Sequence, residues 1–206
     1  PDERHITLND VYSISNHITT EFNIEGYPDE RFMKIIRDIK PDQATLVPDP
    51  PHVLTSNNGW DIKANRESLM PIIEQLKTIG TRISLFVNPD ESSIFEAANI
   101  GIDRIELYTG PFAEEFSINP NQAIKAYKEA AKIAGEMGLE VNAGHDLNLD
   151  NLSFFKGSKG LILHADNVTD DDLTELIKAH KNRPSKALVT MLTFETENPE
   201  QCGVIE

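Results

Sequence analysis

Five short apolar runs, each followed by a stretch of helical periodicity, constrain this chain more than any other feature. They fall at 21–25, 44–48, 82–88, 104–109 and 139–145. Antiparallel strands can be joined by tight turns, whereas parallel strands need a long crossover that a helix supplies. The alternation therefore predicts an α/β fold built on a parallel sheet. Several runs also end on residues able to do chemistry, among them Glu25, Thr109 and His145.

The intervening segments carry helix signals. Thr7 is placed to cap a short helix around 8–15, and Pro28-Asp29-Glu30 opens another through Ile39, with acidic residues in its first turn. A helix is expected at about 63–79, with Leu69, Ile72, Ile73 and Leu76 on one face. Pro89-Asp90-Glu91 starts the next, which ends near Gly101. The Ala-rich stretch 120–137 opens at Asn119-Pro120 and stops at Gly138. The loop from Asp49 to about Trp60 is long for a connection of this kind, and loops of that length are often binding loops. Five βα units result, with no internal repeat. From about Gly157 the character changes: a strand candidate at 161–167, a helix at 170–180, another strand at 187–193, and an end at 203–206 that reads as mid-strand.

At 206 residues the chain is short for a closed eight-fold (β/α) barrel, which takes about 250. A formal net charge of -15 argues against nucleic acid or an anionic membrane as the main partner. A small anionic substrate stays open, because backbone N–H groups at helix starts and a few His or basic side chains can hold it locally. Cys202 is the sole cysteine, which excludes an internal disulfide or a cysteine metal cluster and fits a reducing compartment. No apolar run approaches the ~20 residues of a membrane span, and no signal-peptide pattern opens the sequence. The chain begins with Pro1 rather than Met, as processing or a fragment would leave it.

Three residues stand out for chemistry. Glu25 lies at the C-terminal end of a strand, where desolvation would raise its pKa into the range of a general acid or base; pairing with a neighbouring Arg or Lys is the plainer reading. Glu106 alternates with Ile105 and Leu107 and so faces away from them, as a salt-bridge partner or an electrostatic stabiliser. His145 follows Asn142-Ala-Gly144, where small residues allow close backbone approach and imidazole titrates near neutrality. Weaker signals are His5 among charged neighbours, the donor-rich loop Thr55-Ser-Asn-Asn-Gly59, and Asp166 as a metal ligand after a strand. There is no glycine-rich phosphate loop and no zinc spacing.

Taken together, Pro1-Asp-Glu-Arg-His-Ile6, Asn23-Ile-Glu25, Leu46-Val-Pro48 with Leu54-Thr55, Ser84-Leu-Phe86, Ile105-Glu106 with Thr109-Gly110, and Val141-Asn-Ala-Gly-His145 resemble the pyridoxine 5'-phosphate synthase family. The resemblance runs over about residues 1–156. It implies a (β/α)8 TIM-type barrel that condenses 1-deoxy-D-xylulose 5-phosphate with 3-amino-2-oxopropyl phosphate, releasing phosphate and water, by acid–base chemistry with no metal or organic cofactor. It further implies a cytoplasmic oligomer with small phosphorylated substrates. By the same resemblance Glu25 matches the general base, His145 the proton donor and Glu106 a transition-state stabiliser. His5 and Thr55 match contacts to the deoxyxylulose phosphate, and Asp146 a contact to the amino-ketone phosphate through its backbone.

The sequence also departs from that family. A catalytic His and a phosphosugar-binding Arg that the family carries just before the position of Pro1 have no counterpart here, nor does the Gly-His pair of its eighth strand. Residues about 159–206 instead resemble an internal piece of a sugar-phosphate nucleotidyltransferase, through Leu161-Ile-Leu-His-Ala-Asp-Asn167, Met191-Leu-Thr-Phe194 and Asn198-Pro-Glu-Gln-Cys202. The position of Asp166 often helps hold magnesium in that family. The expected architecture is thus an incomplete (β/α)8 TIM-type barrel over 1–156, followed by an α/β segment of different origin over 157–206. A chain with five such strands is expected to be impaired in turnover.

Overall fold

The structure is a computed structural model and describes residues 6–50, 53, 57–152 and 154–155. Two compact units divide the chain, Pro1–Phe154 and Phe155–Glu206, and every element below belongs to the first. The strand, helix and strand expected at 161–193 and the end at 203–206 lie outside the described residues, as do His5, Thr55, Asp166 and Cys202.

Twelve elements follow one another: α1 (Leu8–Ser15), β1 (Asn23–Gly26), α2 (Glu30–Ile39), β2 (Gln43–Leu46), α3 (Ile62–Ile79), β3 (Arg82–Val87), α4 (Glu91–Asn99), β4 (Arg104–Tyr108), α5 (Gly110–Phe116), α6 (Pro120–Glu136), β5 (Glu140–Gly144) and α7 (Leu149–Leu152). The five strands form one sheet in the order β1-β2-β3-β4-β5, every pair parallel. The parallel α/β reading and its five strands therefore hold.

The helix starts follow from their caps. Thr7 and Asp10 form a reciprocal box, with the Thr7 amide donating to Asp10 Oδ2 at 2.8 Å. The amides of Phe32, Ala64, Ser93 and Gln122 donate to Asp29, Asp61, Asp90 and Asn119, satisfying N–H groups the helices leave open. Left-handed backbone ends α2 at Lys40 and α3 at Gly80, and Gly138 (φ 80°) follows α6.

Two elements were not expected. Residues 110–119, which read as a connection, hold α5; Pro111 sits in its first turn, and Phe112 packs edge-on against Tyr127 of α6. The single turn α7 closes on reciprocal Asn148–Asn151 hydrogen bonds.

The sheet has two unlike faces. Ile24, Ala44, Leu46, Ile83, Leu85, Val87, Ile105 and Leu107 point one way, and all but half-buried Ile24 are fully buried. Leu69, Ile73 and Leu76 of α3, Ile94 of α4 and the alanines of α6 are buried with them. Each large aliphatic side chain removed from water contributes about 1.5–3 kcal/mol, so this layer is the main source of stability. The opposite face carries Asn23, Glu25, Gln43, Thr45, Arg82, Ser84, Phe86, Arg104, Glu106, Tyr108 and Asn142. Strand register places these in rows across the sheet.

Candidate active site

The rows of the polar face differ from one end of the strands to the other. At the N-terminal ends lies an ion network. Arg82 Nη2 is 2.5 Å from Glu21 Oε1, Arg104 Nη1 is 3.1 Å from the same oxygen, and Arg104 Nε donates to Glu140 at 2.9 Å. Gln43 Oε1 accepts from Arg82 (3.0 Å) and Arg104 (2.8 Å), while its amide donates to Asn23 and Thr45. These groups partner one another, with Arg82 Nη2 meeting Glu21 as an ion pair without a hydrogen bond, and their chemistry is structural.

Further along the same face lie Glu25, Thr45 and Ser84, which the register sets level with Arg104, and then Glu106 and Asn142, which it sets level with Phe86. The Ser84 hydroxyl is fully buried and has no hydrogen-bond partner among the described residues. Glu25 as a residue is exposed, yet the protein around its carboxyl group desolvates it. That desolvation raises its pKa, and the nearby His145 ring, when charged, offsets part of the rise. Glu106 is pushed up to about 8, first by desolvation and then by the charge of Glu25. The two carboxyl groups therefore titrate as a pair in the field of one imidazole.

Toward the C-terminal ends Val47, Phe86 and Tyr108 pack together, and the His145 ring lies against Phe86 and Tyr108. The Tyr108 and His145 rings meet edge to face at 5.3 Å between centroids, and Phe86 lies 6.4 Å from the imidazole. Glu25 acts electrostatically on Glu106 and is itself acted on by His145, so these three residues lie near one another on the polar side of the sheet.

The role of Gly144 differs from expectation. A Cβ on it would lie 2.2 Å from Glu106 Oε1, so the glycine makes room for a carboxylate of the same protein rather than for a ligand. The turn after it is strained, with His145 at φ 87° and Asp146 at φ 56°. Thr109 holds that turn: its amide donates to the Gly144 carbonyl at 3.0 Å, and its hydroxyl sits 2.6 Å from the same oxygen and also contacts the His145 carbonyl. Sequence reading named Thr109 among strand-end residues able to do chemistry without giving it a specific role, and it did not single out Tyr108. Asp146 stands beside His145, with Oδ2 2.7 Å from Nδ1. Of the substrate contacts inferred from resemblance, Asp146 alone lies among the described residues. No group of three His, Cys, Asp or Glu able to hold a metal ion occurs among them.

A hollow of about 620 Å³ on the outer surface, lined by Phe95, Ile133 and Met137, includes none of these residues. Hollow size is a poorer guide here than the perturbed carboxyl pair.

A parallel α/β sheet with two coupled carboxyl groups and an imidazole at its strand ends defines a protein equipped for proton transfer. Comparison with known proteins gives the family. The chain belongs to the family described as pyridoxal phosphate biosynthesis protein PdxJ, whose model matches residues 1–163. Over 155 residues it is 51% identical to pyridoxine 5'-phosphate synthase of Porphyromonas gingivalis and 49% identical to that of Bacteroides thetaiotaomicron, covering 75% of this chain and 65% of each relative. The protein of the same name in Cytophaga hutchinsonii is 49% identical over 76% of this chain and 66% of its own. The chain thus spans about 65% of the length of the curated relatives it matches. Residues 147–206 match a second model, described as nucleotidyl transferase. No helix among the described residues is long and apolar enough to cross a membrane.

Proposed function

We propose that residues 1–156 carry the acid–base site of a pyridoxine 5'-phosphate synthase. This site condenses 1-deoxy-D-xylulose 5-phosphate with 3-amino-2-oxopropyl phosphate and releases phosphate and water. The observation that carries this reading is the convergence of Glu25, Glu106 and His145 on one face of the sheet.

Ring closure requires several proton transfers, and the three groups divide them by their surroundings. Glu25, with its raised pKa, is a stronger base than an ordinary carboxylate and accepts a proton from a substrate carbon or nitrogen. Glu106, raised by burial and by its like-charged neighbour, holds a proton near neutrality and donates a hydrogen bond to developing negative charge. His145 returns protons to leaving oxygens. His5, Thr55 and the Asp146 backbone hold the phosphorylated substrates.

The sheet is read as an arc of a (β/α)8 barrel. Strictly sequential strand order, with right-handed crossovers, puts the connecting helices on one face, whereas a doubly wound sheet reverses its order. The polar inner face, with its chemistry at the C-terminal strand ends, supports the same reading. Residues 157–206 are read as a segment of different origin, supported by the second family model. A single cysteine suits a cytoplasmic setting.

The test is phosphate release from the two substrates by the 206-residue chain, expected to be slow. Glu25→Gln and His145→Gln should each lower it by roughly 10²–10⁴. Binding of deoxyxylulose phosphate without turnover, unchanged in Glu25→Gln, would select a non-catalytic phosphosugar-binding domain instead. Neither binding nor turnover would overturn both.

A further inference from the structure

The Asp146 side chain has no part in the scheme above, which uses its backbone alone. Its carboxylate lies 2.7 Å from His145 Nδ1. A carboxylate only accepts hydrogen bonds, so the nitrogen facing it is the donor and the ring carries its proton at Nδ1. In the neutral imidazole the lone pair is then on Nε2.

Neighbouring residues seldom pair side chain to side chain in this way. Here two consecutive left-handed residues, His145 at φ 87° and Asp146 at φ 56°, bring them together. Such backbone persists only where its surroundings over-determine it. Thr109 ties down the carbonyls of Gly144 and His145, and Asn151 Nδ2 donates to the Asp146 carbonyl at 3.1 Å. Tyr108 sets the tilt of the ring from below. Among the described residues, Asp146, Glu25 and Tyr108 are titratable groups that face this corner.

We infer that Asp146 is a positioning residue whose carboxylate holds His145 in the Nδ1–H tautomer, leaving Nε2 as the nitrogen that exchanges protons with substrate. The chemistry rests on the synthase reading; the tautomer rests on geometry alone.

Long-range 1H–15N correlation spectra of the 206-residue chain separate the two tautomers, and the signals lost in His145→Gln assign this ring among the six histidines. At a pH where the ring is neutral, the wild-type chain should show Nδ1 protonated. Asp146→Gly removes the carboxylate and accepts the positive φ; it should shift the ring toward the Nε2–H form that free imidazole prefers. Asp146→Asn keeps an acceptor without charge and should restore the Nδ1–H form. In turnover, Asp146→Gly should lower kcat about tenfold with KM within about twofold, less than the loss of the general acid itself. An Nε2–H ring in the wild-type chain overturns the inference whatever the variants do, as does an unchanged tautomer in Asp146→Gly. Absence of phosphate release from the wild-type chain counts against the synthase reading and leaves the spectra to decide the role of Asp146.

Discussion

Gly144 shows how one hydrogen in place of a methyl group can set a catalytic geometry. An added Cβ would meet Glu106 Oε1 at 2.2 Å and Cδ at 3.2 Å. The atom it meets is the end of a flexible side chain, so the carboxylate moves and the backbone does not. Gly144→Ala is therefore expected to change stability by no more than about 1 kcal/mol in urea unfolding. Phosphate release should fall by roughly 10²-fold, the size of effect seen when one preorganised stabilising group is misplaced. Retained turnover in a folded Gly144→Ala chain would show that the position of Glu106 does not matter to the reaction. The sequence made His145 a candidate because a glycine precedes it at a strand end. It did not reveal why the glycine is there, since the residue that fills the space is 38 positions earlier and meets it only across the β4–β5 pair.

At the scale of elements, strands and long helices were legible because their signals are local. Apolar runs set the five strands, and Asp29, Asp61, Asp90 and Asn119 cap the helices that follow them. The helix α5 was not legible: Gly110 and Pro111 are poor helix formers, Thr109 makes no side-chain cap, and its aromatic contacts come from α6 and Phe154. The connection after β2 is another case. It is stitched to two strands by the Trp60 amide on the Phe86 carbonyl (2.9 Å), the Trp60 indole on the Leu46 carbonyl (2.9 Å) and the Gly59 amide on Asn88 Oδ1 (2.9 Å). A Cβ on Gly59 would lie 2.3 Å from the Asn88 amide nitrogen and 2.4 Å from the Val87 carbonyl carbon, backbone atoms at and just past the end of β3. Nothing flexible can yield there, so Gly59→Ala should cost at least about 3 kcal/mol in urea unfolding, in the range where a packed region rearranges. A cost below about 1 kcal/mol would mean that this connection is not seated on β3.

Across the whole molecule, the two ends of the polar face respond to pH in opposite senses. At the strand N-termini the Arg82 guanidinium holds the Glu21 carboxyl below its ordinary range, with Arg104 assisting. A depressed carboxyl contributes stability that is present above its unfolded pKa of about 4.5 and is lost as pH falls through the folded value. At the other end Glu106 is raised from 4.5 to about 8 and Glu25 is raised too. Between those pH values the native state keeps a proton that the unfolded chain has released, so stability declines as pH rises. The net charge of -15 adds self-repulsion on the same side. Urea midpoints measured from pH 3 to 9 should therefore peak near pH 5 and fall on both sides. Glu106→Gln should flatten the alkaline side, adding about 1–2 kcal/mol at pH 8 once water reaching the site is allowed for, and leave the acid side unchanged. Glu21→Gln should lower the maximum and flatten the acid side only, because its partners Arg82 and Arg104 stay charged throughout. An alkaline side as steep in Glu106→Gln as in the wild-type chain would mean that the carboxyl group is solvated rather than enclosed with Glu25 and His145.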